Sequence, residues 1–262
     1  MDRLDKVIAE TTEFSRKEVR NLLREGRIEI DGVKAPSVSF KVQENSVITI
    51  DGEEVPRKRR IVAILNKPKG YVCSVSDPRD RTVMELVPKS WMVQKVFPVG
   101  RLDKDTEGLL VFSNDGDFAH RLISPRSGIE KEYYVEHQGC AGEDDVRAFR
   151  EGITLSDGEK CRPAVLIPLG DNRSRVIVTE GKYHEVRRLM ASRNMGVDYL
   201  RRDRVGGLEL SGLGIGEWKE LDGEGEDKIF SLNPELHSGD EKPRLSLSFG
   251  ILIPKSNQNR VF

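Results

Sequence analysis

Apolar positions in the first 55 residues follow two periods in turn. Leu4, Val7 and Ile8 recur at helical spacing between Arg3 and Ala9, which predicts a short amphipathic helix. Ser15 is suited to cap a second helix, and Glu18 three residues later completes a capping box. That helix runs through Val19, Leu22 and Leu23, carries Arg16, Lys17, Arg20 and Arg24 on its outer surface, and ends at Gly26. The period then drops to two. Arg27 to Val33 alternates apolar and polar residues around an Asp31-Gly32 turn, and Val47 to Gly52 repeats the pattern, so both are expected to be strands leading into turns.

Residues 1–55 therefore form one small unit, and 56–60 a basic linker built from Pro56 and four consecutive bases, Arg57 to Arg60. A second unit is expected over 61–222. Ile61 to Asn66 is a buried strand that runs into Lys67-Pro68-Lys69-Gly70. Further strands are expected over Gly108 to Ser113, Glu132 to Glu136, Arg175 to Thr179 and Val197 to Leu200, with a last short one in Gly212 to Leu221. Helices are expected over Asp117 to Ile123, Asp144 to Glu151 and His184 to Asn194. Strands outnumber helices without alternating with them, which predicts an α+β fold on a mixed, largely antiparallel sheet. Residues 223–262 are acidic, then rich in Ser, Pro and Asn, with one apolar island at Phe249 to Ile253; they are expected to be a loosely attached tail.

With 33% charged and 37% hydrophobic residues, the chain is expected to be soluble. No stretch approaches the roughly 18 apolar residues of a membrane span, and Met1 to Lys6 lacks the basic start and apolar core of a signal peptide. Cys73, Cys140 and Cys161 are odd in number and unpaired in spacing, which disfavours a disulfide scaffold or a zinc site and suits a reducing cytoplasm. A net charge of −1 does not exclude nucleic acid, because the bases are clustered: Arg57 to Arg60, Arg187-Arg188, and Arg201, Arg202 and Arg204. Local patches set the field a phosphate feels.

The densest chemistry lies in Val99 to Phe112, where a charged run sits between Gly100 and Gly108 and leads into an apolar strand. Asp103 and Asp105 are two apart, the arrangement of paired carboxylates in a glycosidase. Trp91 and Trp218, the only tryptophans, are remote from this run, and its surroundings are basic: Arg101, Lys104, Lys67, Lys69, Lys131, Arg187 and Arg188. A reactive aspartate among cations suits a polyanionic substrate, since the cations bind phosphates and favour the ionised acid. The residues alone leave a second option, in which Asp103 caps a turn and pairs with Arg101.

Two resemblances narrow these options. Arg3 to Lys6, Ser15-Arg16, Val19, Leu22, Gly26, Ile28, Val33 and Ile48 resemble the S4 RNA-binding domain, which implies that Arg16, Lys17 and Arg20 face phosphates. Gly100 to Leu110 resembles the catalytic signature of the pseudouridine synthases that begin with an S4 domain and modify ribosomal RNA. Lys67 to Gly70, Lys131-Glu132-Tyr133 and Glu180 to Arg188 resemble three further blocks of that family, in the same order. The family's third block usually has Gln after its His, where this chain has Glu185.

The resemblance implies a uridine flipped into a pocket, with Asp103 acting as nucleophile or as base toward the ribose. Tyr133 would stack on the uracil, and Arg187 would pair with Asp103, with Arg188 as its rival. Arg101 would expel the base or hold phosphate. Lys67, Lys69, Lys131, Arg201, Arg202 and Arg204 would bind phosphate. His184 could look like a general base, but its place at a helix start favours a structural hydrogen-bonder. No cofactor or metal is implied. The expected partner is ribosomal RNA, free or in a partly assembled particle, for a monomeric enzyme in the cytoplasm. Lys104 to Gly108 and His120 to Pro125 look more like the small-subunit (16S) members than the large-subunit (23S) ones. The competing readings are a 23S enzyme, a non-catalytic S4 assembly factor and a hydrolase acting on a phosphorylated sugar or nucleoside.

Overall fold

The computed structural model describes residues 1–43, 45–124 and 126–232. Pro125 of the His120 to Pro125 run and the apolar island at Phe249 to Ile253 lie outside the described residues.

The first unit packs helices α1 (Leu4–Thr11) and α2 (Arg16–Arg24) on a four-stranded antiparallel sheet made of β1 (Ile28–Ile30), β2 (Val33–Lys34), β3 (Ile48–Ile50) and β4 (Glu53–Glu54), in the order β2-β1-β3-β4. The capping box forms: Ser15 N donates to Glu18 Oε2 at 2.7 Å, and Glu18 N donates back to Ser15 Oγ. Both periods bury one face in a common core, with Leu4, Ile8, Val19 and Leu22 from the helices against Ile28, Ile48 and Ile50 from the strands. Arg16, Lys17 and Arg20 remain exposed on α2.

The linker is strapped to the second unit by charge. Arg59 Nη2 lies 2.7 Å from Glu220 Oε1, and Arg60 pairs with Asp115 and Glu226, each at 2.7 Å.

The second unit is a nine-stranded sheet. Its strands are β5 (Val62–Lys67), β6 (Phe97–Val99), β7 (Glu107–Ser113), β8 (Lys131–His137), β9 (Val165–Gly170), β10 (Arg173–Val178), β11 (Val197–Val205), β12 (Leu208–Glu209) and β13 (Trp218–Glu220). The order is β9-β10-β8-β11-β7-β5-β13, with β12 beside β11 and β6 beside β7. Only β7 and β11 run parallel; the other pairs are antiparallel. The α+β expectation therefore holds.

Side chains alternate across the sheet. On the front face, Leu65, Leu110 and Phe112 pack against Val83 and against Trp91 of the short helix α3 (Ser90–Val93). Farther along that face, Val135, Val176 and Leu200 pack against Phe149 of α5 (Glu143–Glu151) and Leu189 of α6 (Glu185–Ser192). Tyr133 touches both clusters and marks the cleft between them. On the reverse face, Ile64, Leu109 and Val111 are covered by α4 (Gly116–Ile123) and α7 (Gly223–Phe230).

Gly108 is required where β7 meets β11. Its φ is +103°, and a Cβ there would lie 2.2 Å from the Arg202 carbonyl oxygen, so any side chain would force the parallel strands apart.

Two expectations are corrected. Helix α7 falls in the segment expected to be a loose tail: Asp222 caps it, Ile229 is fully buried, and Phe230 meets Phe118 edge-on at 5.5 Å. Strand β11 continues past Leu200 through the arginine cluster to Val205, because Arg202 and Arg204 find partners inside the protein. Among the described residues, no helix is long and apolar enough to cross a membrane.

Candidate active site

The loop between β6 and β7 is shaped by a buried lysine. Lys67, the last residue of β5, is wholly inaccessible. Its Nζ donates to the carbonyls of Pro68 (3.0 Å), Asp103 (3.1 Å), Lys104 (3.3 Å) and Thr106 (2.8 Å). Leu102 N donates to Cys73 Sγ at 3.3 Å, Gly70 N to Lys104 O at 2.8 Å and Thr106 N to Asp103 O at 3.1 Å. The backbone around Asp103 is thus fixed from below, with its carboxylate directed at the start of α6.

Two basic side chains meet that carboxylate. His184 Nε2 lies 3.3 Å from Asp103 Oδ1, and Arg187 Nε lies 3.7 Å from Oδ2. Arg187 also holds Asp105, Nη2 to Oδ2 at 2.8 Å, and its Nη1 donates to Val197 O. Its Nε is buried without a hydrogen-bond acceptor among the described residues, so the guanidinium edge facing Asp103 is unsaturated. His184 caps α6 in the left-handed region, at φ +48° and ψ +35°. A non-glycine residue there costs roughly 1–2 kcal/mol, and such strain gathers at functional sites. Its ring stacks on Tyr183 with centroids 3.8 Å apart, and Tyr183 is mostly exposed.

The two tyrosines of β8 separate as a strand requires. Tyr133 points into the front cleft, with the Arg202 guanidinium 6.0 Å from its ring centroid. Tyr134 lies on the reverse face against Tyr199 and Arg201.

Several expected phosphate ligands are otherwise engaged. Lys67 cannot reach solvent. Arg202 is buried and donates from Nε to Leu109 O at 2.8 Å, bridging strands. Arg204 is buried between Glu132 and Glu209. Arg201 is held by Asp203 on the reverse face, and Lys69 Nζ sits 4.7 Å from the Tyr199 ring centroid. Arg188 turns away from Asp103 to Asp157 and Glu159. Arg101 stays exposed. Lys131 donates to Ile129 O, and burial, with Arg202 nearby, pushes its ammonium down to about 8.

Glu185, the departure noted in the third block, is buried and accepts from Lys182 N at 3.2 Å. Burial pushes its carboxyl up to about 7. Its donor atoms lie within 4.8 Å of those of Cys161 and Glu180, a spacing that could hold a cation. Lys182 supplies one: its Nζ lies 3.3 Å from Glu180 Oε1.

The contacts that sequence reasoning missed are those of His184 and Asp105. Neither the left-handed cap nor the sharing of Arg187 by two carboxylates leaves a signal in residue spacing.

Residues 61–192 match the family described as RNA pseudouridylate synthase, and residues 2–48 match the S4 domain. The chain is 35% identical to the ribosomal small subunit pseudouridine synthase A of Escherichia coli, over 84% of this chain and 96% of that protein. It is 32% identical to the ribosomal large subunit pseudouridine synthase B of Bacillus subtilis, over 84% and 92%. A crystal structure of a pseudouridylate synthase superposes with a TM-score of 0.62 at 31% identity, covering 87% of this chain and all of that one.

Proposed function

The chain belongs to the RNA pseudouridylate synthase family, and on that premise we infer that it isomerises a uridine of 16S ribosomal RNA through Asp103. The single observation behind the role of Asp103 is its setting: a carboxylate on a loop locked by Lys67, with His184 and the unsaturated edge of Arg187 within 3.7 Å. Catalytic groups are most effective when held in advance in the geometry they need.

The uridine leaves its stack and enters the front cleft, because its glycosidic bond is unreachable in a helix. Tyr133 stacks on the uracil ring. Asp103 acts as nucleophile or as base toward the ribose. The bond from C1′ to N1 breaks, the uracil turns, and C1′ bonds to C5. The proton on C5 is lost and N1 gains one, so the composition of the RNA is unchanged. Arg187 keeps Asp103 oriented, while Arg16, Lys17 and Arg20 of the S4 unit hold phosphates away from the chemistry.

Small-subunit RNA is favoured by the run Lys104-Asp105-Thr106-Glu107-Gly108 and by the 35% identity to the small-subunit relative. The 32% identity to a large-subunit relative makes 23S RNA the reading to test against. In this reading the protein works in the cytoplasm, on free RNA or on a partly assembled particle. The test uses 16S and 23S transcripts, each with and without ribosomal proteins, and maps pseudouridine by carbodiimide and primer extension. An Asp103-dependent stop in 16S RNA, lost in Asp103→Asn, is expected. A stop in 23S would move the substrate, and tight binding without any modification would overturn the catalytic role.

A further inference from the structure

Asn66 and Lys67 are successive residues of β5 and so face opposite sides of the sheet. Lys67 supports the Asp103 loop in front. Asn66, 7% exposed, lines a cavity of about 460 Å³ on the reverse face. Its Nδ2 donates to Leu213 O at 2.9 Å. Its Oδ1 is buried with no donor among the described residues. A buried amide oxygen left without a partner is costly, on the order of 1–3 kcal/mol, and in a cavity wall it calls for a ligand N–H.

The rest of the wall says what kind of ligand. Its cations are matched by carboxylates, Arg175 by Glu132, Arg201 by Asp203 and Arg204 by Glu209, so it offers no excess charge for a phosphate. It does offer the ring of Tyr199 and the apolar side chains of Leu213 and Ile215, of which Ile215 is 68% exposed. A neutral, planar group with N–H donors on its edge fits these features. A nucleobase is such a group, and stacking on an aromatic ring is how unpaired bases are commonly held.

The cavity also lies on a path from the active site. Tyr199 Oη donates to Glu107 Oε2 at 2.6 Å, and Glu107 is four residues after Asp103. The Lys69 ammonium lies over the Tyr199 ring, at the sheet end where Lys67 holds the Asp103 loop. We propose that this reverse-face cavity takes one unpaired base of the substrate RNA, with Asn66 Oδ1 accepting from its edge and Tyr199 stacking on its ring, while the target uridine occupies the front cleft. The proposal rests on the RNA reading above and adds a second contact to it, one able to select the sequence or fold around the target.

The test uses the full chain with 16S and 23S transcripts. Ser211 is exposed on the rim, so Ser211→Trp fills the cavity without replacing a buried residue; Asn66→Leu removes the acceptor. Ultraviolet crosslinking with peptide mapping is expected to place a nucleotide adduct on Tyr199 in the wild type and not in Ser211→Trp. Filter binding is expected to show Kd raised at least about fivefold, the lower end of a single base stack, with an unchanged thermal midpoint for Ser211→Trp. A normally folded Ser211→Trp that binds both transcripts with wild-type Kd overturns the proposal. Failure of the active-site reading shows separately, as isomerisation that survives Asp103→Asn.

Discussion

Arg187 is bound more closely to Asp105 than to Asp103: its Nη2 lies 2.8 Å from Asp105 Oδ2, whereas its Nε lies 3.7 Å from Asp103 Oδ2. Asp105 is 67% exposed and grips the outer edge of the guanidinium; Asp103 faces the inner one. The inner contact is the one that bears on the reacting carboxylate. Arg187→Met should therefore lower the single-turnover rate on RNA by about 10²-fold, and Asp105→Asn by less than about tenfold, since exposed ion pairs contribute little. Equal losses in the two variants would mean that Asp105, and not Arg187, organises the site.

Lys67 gives a contrast between positioning and RNA binding. Replacing it with Met leaves the carbonyls of Pro68 and Thr106 without their donor and removes a second donor from those of Asp103 and Lys104, which keep Thr106 N and Gly70 N. The cost should be about 3 kcal/mol or more, since each buried acceptor left unpaired is destabilising. Thermal or urea unfolding would show that loss. RNA affinity and its salt slope should be nearly unchanged, because the ammonium never meets a phosphate. A shallower salt slope in Lys67→Met would restore it as a phosphate ligand.

The fate of these cations shows how far the sequence could be read. The two periods of the first unit and the apolar strands Ile61 to Asn66 and Gly108 to Ser113 were legible, because each buries a face whose pattern is local. Asp103 stood out from its charged flank and from the family signature around it. Burial of a cation is different in kind. Lys67, Arg202 and Arg204 look like solvent-seeking bases in the chain, and each is buried because a distant group, the Asp103 loop, Leu109 O or Glu132, completes its hydrogen bonds or charge. The same applies to α7, whose acidic composition hides an apolar edge at Ile229 and Phe230 that only Phe118 and its neighbours reveal.

Arg16, Lys17 and Arg20 are exposed on α2 and are the bases best placed to meet a phosphate backbone from the first unit. Replacing all three with Gln should weaken binding to ribosomal RNA and reduce the slope of log K against log salt by about 2, each contact releasing somewhat less than one counterion. Because they are exposed, and buried Asp5 is held mainly by Arg3 with Arg16 a lesser influence, the thermal midpoint should stay within about 1 °C. Filter binding across a salt series measures the slope. An unchanged slope would remove this helix from the RNA interface.

Glu185 makes stability depend on pH in a direction that can be worked out. Its carboxyl is pushed up to about 7 in the folded chain from an ordinary value of 4.5, mainly by burial. Above 4.5 the unfolded chain gives up this proton while the folded chain keeps it, so the folded state binds more protons and stability falls as pH rises. The fall is complete near pH 7, where the folded carboxyl also ionises. The surroundings do not reverse this sign: Glu180 opposes ionisation, and Lys182 and Lys131 favour it less than burial resists it. Lys131 itself titrates higher, at about 8. Glu185→Gln removes the titration and keeps the shape, so it should match wild-type stability at pH 4.5 and exceed it at pH 8 by up to about 3 kcal/mol. Urea unfolding of both proteins at the two pH values checks this; a Gln variant that is less stable than wild type at pH 8 would show that the ionised carboxylate is held by a favourable partner.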